Sequence, residues 1–278
     1  MATLRMAGPH GKLGCERPKT FRALGQSEPP LLVHVHGNKF YRNEIFKHDS
    51  WAATATYRSE QGQQIVCKFN RQSPIGPIPM RWLGRFLARR EYYFLKTLGD
   101  TPGIPRVYDC VLVHEQRQCH AVAHEFIPGN PLSLARAIPS DFFDQVEVML
   151  AALHARRIAY VDLHKQENVI VGDDGKPYLI DFQVSVQLPA WRWLTPLFSM
   201  LRQADLYHVD KHRWLHRQPS SSMESRQRPW WLTVHRAIAV PLRTLRRRFL
   251  VAIGIRRGDG HSATEAVPEI GLRRSDAV

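Results

Sequence analysis

Cysteine is scarce and scattered in this chain: Cys15, Cys67, Cys110 and Cys119 are the only four in 278 residues, and none pair at short spacing. That pattern indicates neither a disulfide framework nor a zinc knuckle. No apolar run approaches the roughly 20 residues needed to cross a bilayer. The stretch from Met1 to Pro18 has neither a continuous apolar core nor a small-residue cleavage pattern, which argues against a signal peptide. These absences together fit a reducing cytoplasm. Internal repeats are also missing, as is any recognised nucleic-acid-binding module. Acidic residues are under-represented, 25 Asp and Glu against 39 Lys and Arg, for a net charge of +14.

What is present is an ordinary globular composition, 44% hydrophobic and 23% charged. The length suits one two-lobed domain or two small ones. The basic surplus is uneven. Positions 189–278 hold 16 basic and 7 acidic residues, so the C-terminal third carries most of it. A basic segment rich in tryptophan points to an anionic partner: a phosphate-bearing substrate, a membrane surface or nucleic acid.

Along the chain, residues 1–30 mix Gly, Pro and charge without periodicity and read as flexible. Short extended runs follow at 31–36, 51–57 and 64–69. A Pro-rich loop at 73–79 precedes a helix over 81–98. Two more extended runs, 106–114 and 119–127, flank a polar turn and read as a hairpin. Pro128-Gly129-Asn130-Pro131 breaks the chain and marks a lobe boundary. Ser140 is placed to cap the next helix, with Asp141 and Asp144 in its first turn. Phe142, Val146, Met149, Leu150 and Leu153 recur at helical spacing and give that helix a buried face. Strands at 168–172 and 177–182 surround Asp173-Asp174-Gly175-Lys176, a strong hairpin turn.

The chemistry concentrates between Asp162 and Gln183. An acid in a tight loop (Asp162), an amide six positions on (Asn168) and a second acid (Asp181) fall within 22 residues. Phosphoryl transfer asks for a carboxylate to orient the attacking hydroxyl and for oxygen ligands to hold Mg²⁺ on nucleotide phosphates. Upstream, Leu87, Glu91, Phe94, Leu95 and Leu98 share one helical face, which puts the Glu91 carboxylate in an apolar stripe. Such a carboxylate is costly unless a cation meets it. Lys68, at the end of the run Ile65-Val66-Cys67-Lys68, is the natural partner.

A small β-rich lobe, a Pro-Gly hinge, a helix, an acid loop, a hairpin and Asp181-Phe182: this order resembles the protein kinase-like superfamily over roughly Leu31 to Tyr207. The resemblance implies an α+β, two-lobed fold with a β-rich N-lobe and a reduced helical C-lobe. It implies ATP and Mg²⁺ as cofactors. It assigns Asp162 to the acceptor hydroxyl, Asn168 and Asp181 to metal, Lys68 to nucleotide phosphates with Glu91 positioning it, and Lys165 to the region of the γ-phosphate. Glu125 and Ile127 of Glu125-Phe126-Ile127 would offer backbone groups to adenine.

Departures from that family are informative. The loop amide lies six rather than five residues after the loop acid. Tyr160-Val161 replaces a His-Arg pair, and Gln183 replaces the glycine after Asp-Phe. Asp49-Ser50-Trp51-Ala52-Ala53-Thr54 stands where a glycine-rich phosphate loop is expected, with no glycine in it. After Gln183 only about 95 residues remain, without an Ala-Pro-Glu anchor. That shortened layout looks like the bacterial lipopolysaccharide-kinase group, which implies a glycolipid or other small-molecule acceptor at a membrane. A protein Ser/Thr kinase and a non-catalytic pseudokinase scaffold are the alternatives.

The reading therefore divides the chain into a flexible segment (1–30), an N-lobe (31–127), a C-lobe with the catalytic loop (128–217) and a basic tail (218–278). Trp191, Trp193, Leu194, Leu197, Phe198 and Leu201 either complete the C-lobe core or rest in a membrane interface. Trp230-Trp231 and the stretch 242–257 repeat that apolar, arginine-edged theme, as expected of a peripheral contact with anionic headgroups.

Overall fold

The computed structural model describes residues 22–75 and 77–216. Four strands open the described chain: β1 (Leu32–Val35), β2 (Asn38–His48), β3 (Ala52–Ser59) and β4 (Gln64–Asn70). They pair antiparallel in sequence order. Helix α1 (Arg81–Thr97) follows, then β5 (Val107–Tyr108), β6 (Val111–Val113), β7 (Gln116–Arg117) and β8 (Ala121–Glu125). All eight strands form one sheet in the order β5-β8-β4-β3-β2-β1-β6-β7.

That order forces the sheet to curl. Strands β5 and β6 lie six places apart in it, about 29 Å if the sheet were flat. Yet only Asp109 and Cys110 join them, a link that spans about 10 Å at most. The rolled sheet encloses a core of its own, built from Val33, Val35, Phe40, Ala55, Tyr57, Ile65, Cys67, Phe69, Val111 and Ala123. Ile65, Cys67 and Phe69 point inward, so strand alternation turns Val66 and Lys68 to the other face.

The expected hairpin of 106–127 is nested rather than simple. Val107 and Tyr108 do pair with His124 and Ala123. The intervening residues leave to pair β6 with β1 and with β7. Strand β2 escaped the sequence reading because Phe40 is its one buried residue and two register shifts interrupt its alternation. Residues 22–30, expected to be flexible, form a packed turn instead: Ala23 is buried, and its N–H donates to Asp49 O at 2.7 Å. Residues 1–21 lie outside the described residues.

The second lobe begins at β9 (Gly129–Pro131) and continues through α2 (Phe142–Ala155), β10 (Ile158–Ala159), β11 (Val169–Gly172), β12 (Pro177–Leu179), β13 (Val186–Gln187) and α3 (Thr195–Leu215). Strands β9, β11 and β12 form one small sheet; β10 and β13 form another. Gly129 adopts φ +150°, and a Cβ there would lie 2.3 Å from Val171 O, so glycine alone fits where the chain enters this lobe. Helix α2 buries the five residues its spacing marked, from Phe142 to Leu153. Ser140 does not cap it. The capping position falls on Asp141, whose carboxylate instead accepts from Gln145 Nε2 at 2.7 Å. A single core joins α1 (Ala88, Phe94, Leu95), and Leu98 just past its end, to α2, β10, the hairpin and Phe182.

Near the end of the described chain, Leu194 and Phe198 are buried while Trp191, Trp193 and Leu197 are exposed. The apolar segment therefore divides between core and surface. The basic stretches at 226–257 lie outside the described residues. Among the described residues, no helix is long and apolar enough to cross a membrane.

Candidate active site

Lys68 leaves β4 towards α1, where Glu91 occupies the buried stripe. Its Nζ lies 3.2 Å from Glu91 Oε1 and 2.7 Å from Asp181 Oδ1. Helix α1 comes close enough for this because it carries Gly84, where a Cβ would stand 2.1 Å from Arg71 O. Burial works against the Lys68 cation, but Glu91 and Asp181 outweigh it and hold the ammonium above its ordinary pKa. Burial also opposes the Asp181 carboxylate; Lys68, with Lys165 and Lys47 further off, holds it below the ordinary range. Glu91 is the strained member of the trio. Its burial pushes the carboxyl up to about 7 against the pull of Lys68. Lys68 and Gln183 both donate to it and offset part of the cost of its burial.

Gln183, expected only as a substitute for glycine, proves to be a tether. Its Nε2 donates to Glu91 Oε2 at 3.1 Å and to Asn70 Oδ1 at 2.5 Å. Arg90, beside Glu91, donates from Nε to Gln183 O at 2.9 Å and also to Ser185 O. The segment after Asp181 is thus bonded to both β4 and α1.

The acid loop is built differently. Asp162 N–H donates to Tyr160 O at 2.9 Å and Val161 sits at φ +69°, a γ-turn on a β-branched residue and a strained conformation. Asp205, fully buried on α3, holds it from behind. Its Oδ2 accepts from Tyr160 N–H at 2.9 Å, and its Oδ1 from Val161 N–H at 2.8 Å. His154 Nε2 of α2 lies 3.1 Å from the same Oδ2. The sequence reading did not mark Asp205, although the logic that found Glu91 applies to it: it lies on the helical face of Phe198, Leu201, Val209 and His212.

Asp162 is itself buried, and its Oδ2 accepts from Lys165 Nζ at 2.7 Å and Asn168 Nδ2 at 2.8 Å. His164 Nδ1 lies 3.3 Å from Oδ1. The loop ends in a 3₁₀ turn, Gln166–Asn168. Asn168 and Asp181 end up adjacent across the hairpin, since Ile180 N–H donates to Asn168 O at 3.0 Å. Asp181 adopts φ +63°, a second left-handed residue at the mouth of the site.

Glu125 and Ile127 are not part of this bonded cluster. Glu125 ends β8, its N–H donates to Arg106 O at 2.8 Å, and its carbonyl lies 2.8 Å from His124 Nδ1. Ile127 is half-buried in the link between lobes. His124 is a packed histidine; burial lowers its pKa to about 4 and keeps the ring neutral.

The donor set suits a hard cation. Among the described residues no three His, Cys, Asp or Glu side chains form a closed metal cage. The Asn168 amide and the Asp181 carboxylate, adjacent across the hairpin, offer oxygen donors and a single acid. That fits Mg²⁺, which usually takes one or two protein carboxylates and completes its shell with phosphates and water.

No protein-family model matches the chain. In an alignment 113 positions long that covers 37% of this chain and 20% of the relative, it is 34% identical to serine/threonine-protein kinase C of Synechocystis sp.. Among solved structures it is similar to Rio2 kinase from Chaetomium thermophilum in an ADP/Mg²⁺-phosphoaspartate complex. The TM-score is 0.50 at 16% identity, covering 66% of this chain and 58% of that one. A second structure of the same kinase gives a TM-score of 0.46 at 16% identity, with 64% and 57% covered. The chain therefore spans about a fifth of the curated relative and less than two thirds of the solved structure. Two lobes joined at β8–β9, a lysine of the curled sheet bonded to a buried glutamate on α1, and this likeness lead to one conclusion: the chain has a mixed α+β, two-lobed protein kinase-like fold.

Proposed function

We propose that the chain is an ATP- and Mg²⁺-dependent phosphotransferase acting on a hydroxyl. One observation carries the reading: Lys68 bonds Glu91 and Asp181 at once, while Asp162 and Asn168 are bonded to each other at the same cleft. Held this way, Lys68 would meet nucleotide phosphates as a fixed cation positioned by Glu91. Asn168 and Asp181 would hold Mg²⁺, which when bound supplies charge neutralisation on the phosphates. Asp162 would orient the acceptor hydroxyl and receive its proton. The acceptor oxygen then forms a bond to the γ-phosphorus as the bond to the bridging oxygen breaks, and ADP leaves. Lys165 would turn from Asp162 to the transferring group, whose charge a cation there stabilises.

The acceptor we propose is a hydroxyl of a membrane-associated glycolipid or other small molecule, as in the lipopolysaccharide-kinase group. The short path after Asp181 supports this. Residues 182–194 contain two 3₁₀ turns and the short strand β13, and α3 begins at Thr195. Little chain remains there to form a peptide-docking platform. Trp191 and Trp193 stack on the surface with ring centroids 5.5 Å apart, an apolar feature suited to a lipid-linked acceptor. The 113-residue match to a serine/threonine-protein kinase favours a protein acceptor as the second reading.

The test is phosphate transfer from γ-labelled ATP into separated lipid, saccharide and protein fractions, with Asp162→Ala as control. Label in the lipid or saccharide fraction, lost in the variant, is the expected result. Label in protein alone supports the second reading. Nucleotide binding without transfer to any fraction identifies a pseudokinase scaffold.

A further inference from the structure

The turn between β2 and β3 carries no glycine, and its backbone donors already have an anion. Asp49 Oδ1 accepts from Trp51 N–H at 2.7 Å and from Ala52 N–H at 3.0 Å. Successive backbone N–H groups converging on one point form an anion-binding nest. Here the chain's own carboxylate fills that nest. Burial would raise the Asp49 carboxyl, yet Lys47 and the two amides hold it below the ordinary range. This carboxylate is a stable part of the turn, and the Trp51 and Ala52 amides are engaged by it.

The cation on that carboxylate is Lys47, whose Nζ lies 3.0 Å from Asp49 Oδ2. Its place in the sheet is informative. Lys47 pairs with Thr54, and Thr54 pairs with Lys68. Directly paired residues of an antiparallel sheet share a face, so Lys47, Thr54 and Lys68 form one row across three strands on the face turned towards the cleft. Two strand spacings put the Lys47 and Lys68 backbones about 10 Å apart. Both side chains are long, and both act electrostatically on Asp181. Lys68 is sunk among its partners, whereas the Lys47 side chain is 63% exposed. A pair that exposed is held weakly and exchanges readily for a better anion.

We propose that Lys47 is a phosphate-binding residue, replacing with one side-chain cation the backbone amides of a glycine-rich loop. The ligand class is the polyphosphate of a nucleoside triphosphate, gripped by Lys68 from within and Lys47 from the rim. Asp49 holds the turn closed and parks Lys47 when the cleft is empty. This inference rests on the phosphotransferase reading and adds to it a site residue on β2. It also gives the missing glycines a physical account: a turn that binds phosphate through a side chain does not need its backbone bare.

The experiment is calorimetric titration of the full chain with Mg-ATP and with adenosine, for the unaltered protein, Lys47→Met, Lys47→Arg and Lys68→Met. Losing one charge-assisted contact weakens ATP binding by about tenfold or more. Lys47→Met is therefore expected to bind ATP about tenfold more weakly, bind adenosine normally and melt as the unaltered chain does. Lys47→Arg is expected to recover most of the loss. ATP binding unchanged in Lys47→Met while Lys68→Met loses it would overturn this inference and leave the phosphotransferase reading standing. No nucleotide binding by the unaltered chain would overturn both.

Discussion

At the top of the cleft, Lys68 and Glu91 of the first lobe are bonded to each other and to Asp181 and Gln183 of the second. Below it, Asp162 takes its position from a strained γ-turn that Asp205 holds through two backbone amides. The upper set is a network of charges whose geometry and ionisation depend on each other. The lower set separates the two jobs: a buried carboxylate that never meets substrate fixes the backbone, and a second carboxylate is presented to the acceptor. Mutations should therefore affect function and stability together above the cleft and apart below it.

The sharpest separation is expected at Asp162. Asp162→Asn should lower transfer by about 10²–10⁴-fold, the usual range for a lost general base, while denaturant unfolding changes by less than about 1 kcal/mol. A large loss of stability in that variant would break the contrast. Asp205→Ala is expected to do the opposite. It orphans the Tyr160 and Val161 amides and leaves the Val161 turn unsupported, so unfolding should cost about 3–5 kcal/mol less. The Val161 amide should also lose its protection from hydrogen exchange.

Glu91 sharpens the comparison through pH. Its folded pKa of about 7 stands above the ordinary glutamate value. The sign follows: its contribution to stability is fully present below about pH 4.5 and is lost as pH rises through about 7. Glu91→Gln removes that dependence. The stability of the unaltered chain relative to Glu91→Gln should fall by up to about 3 kcal/mol between pH 4.5 and 7, and the variant should still lose ATP turnover. A difference that is flat with pH would show Glu91 ionising normally. The smallest effect is expected at Gln183. Gln183→Ala should cost about 1 kcal/mol of stability, the scale of a neutral hydrogen bond, with a larger fractional loss of turnover as Glu91 and the Asp181 segment loosen.

Where sequence reasoning succeeded and failed follows the range of each interaction. Glu91 was legible because a carboxylate in an apolar helical stripe is locally wrong and demands a partner. Asp205 sits in the same kind of stripe, but its partners are backbone amides some 44 positions away, and no pattern announces them. Gln183 was visible as a substitution, while its bonds to Asn70 and Glu91 span 113 and 92 positions. Strand β2 failed for another reason: a largely exposed strand with bulges has no alternation to read. Its miss concealed Lys47, since only the register of β2 on β3 places that lysine in the row of Lys68.

The central claim is that Lys68, Asn168 and Asp181 form a Mg²⁺-nucleotide site. The most direct test is the melting temperature of the purified chain with ATP, with Mg²⁺ and with both, for the unaltered protein and Asp181→Ala. At ATP about 100-fold above its dissociation constant, binding contributes about 2.7 kcal/mol, a rise of about 5–10 °C for a chain of this size. The account predicts that rise only when ATP and Mg²⁺ are both present, and its absence in Asp181→Ala. An equal rise in Asp181→Ala, or no rise with any nucleotide, would contradict it.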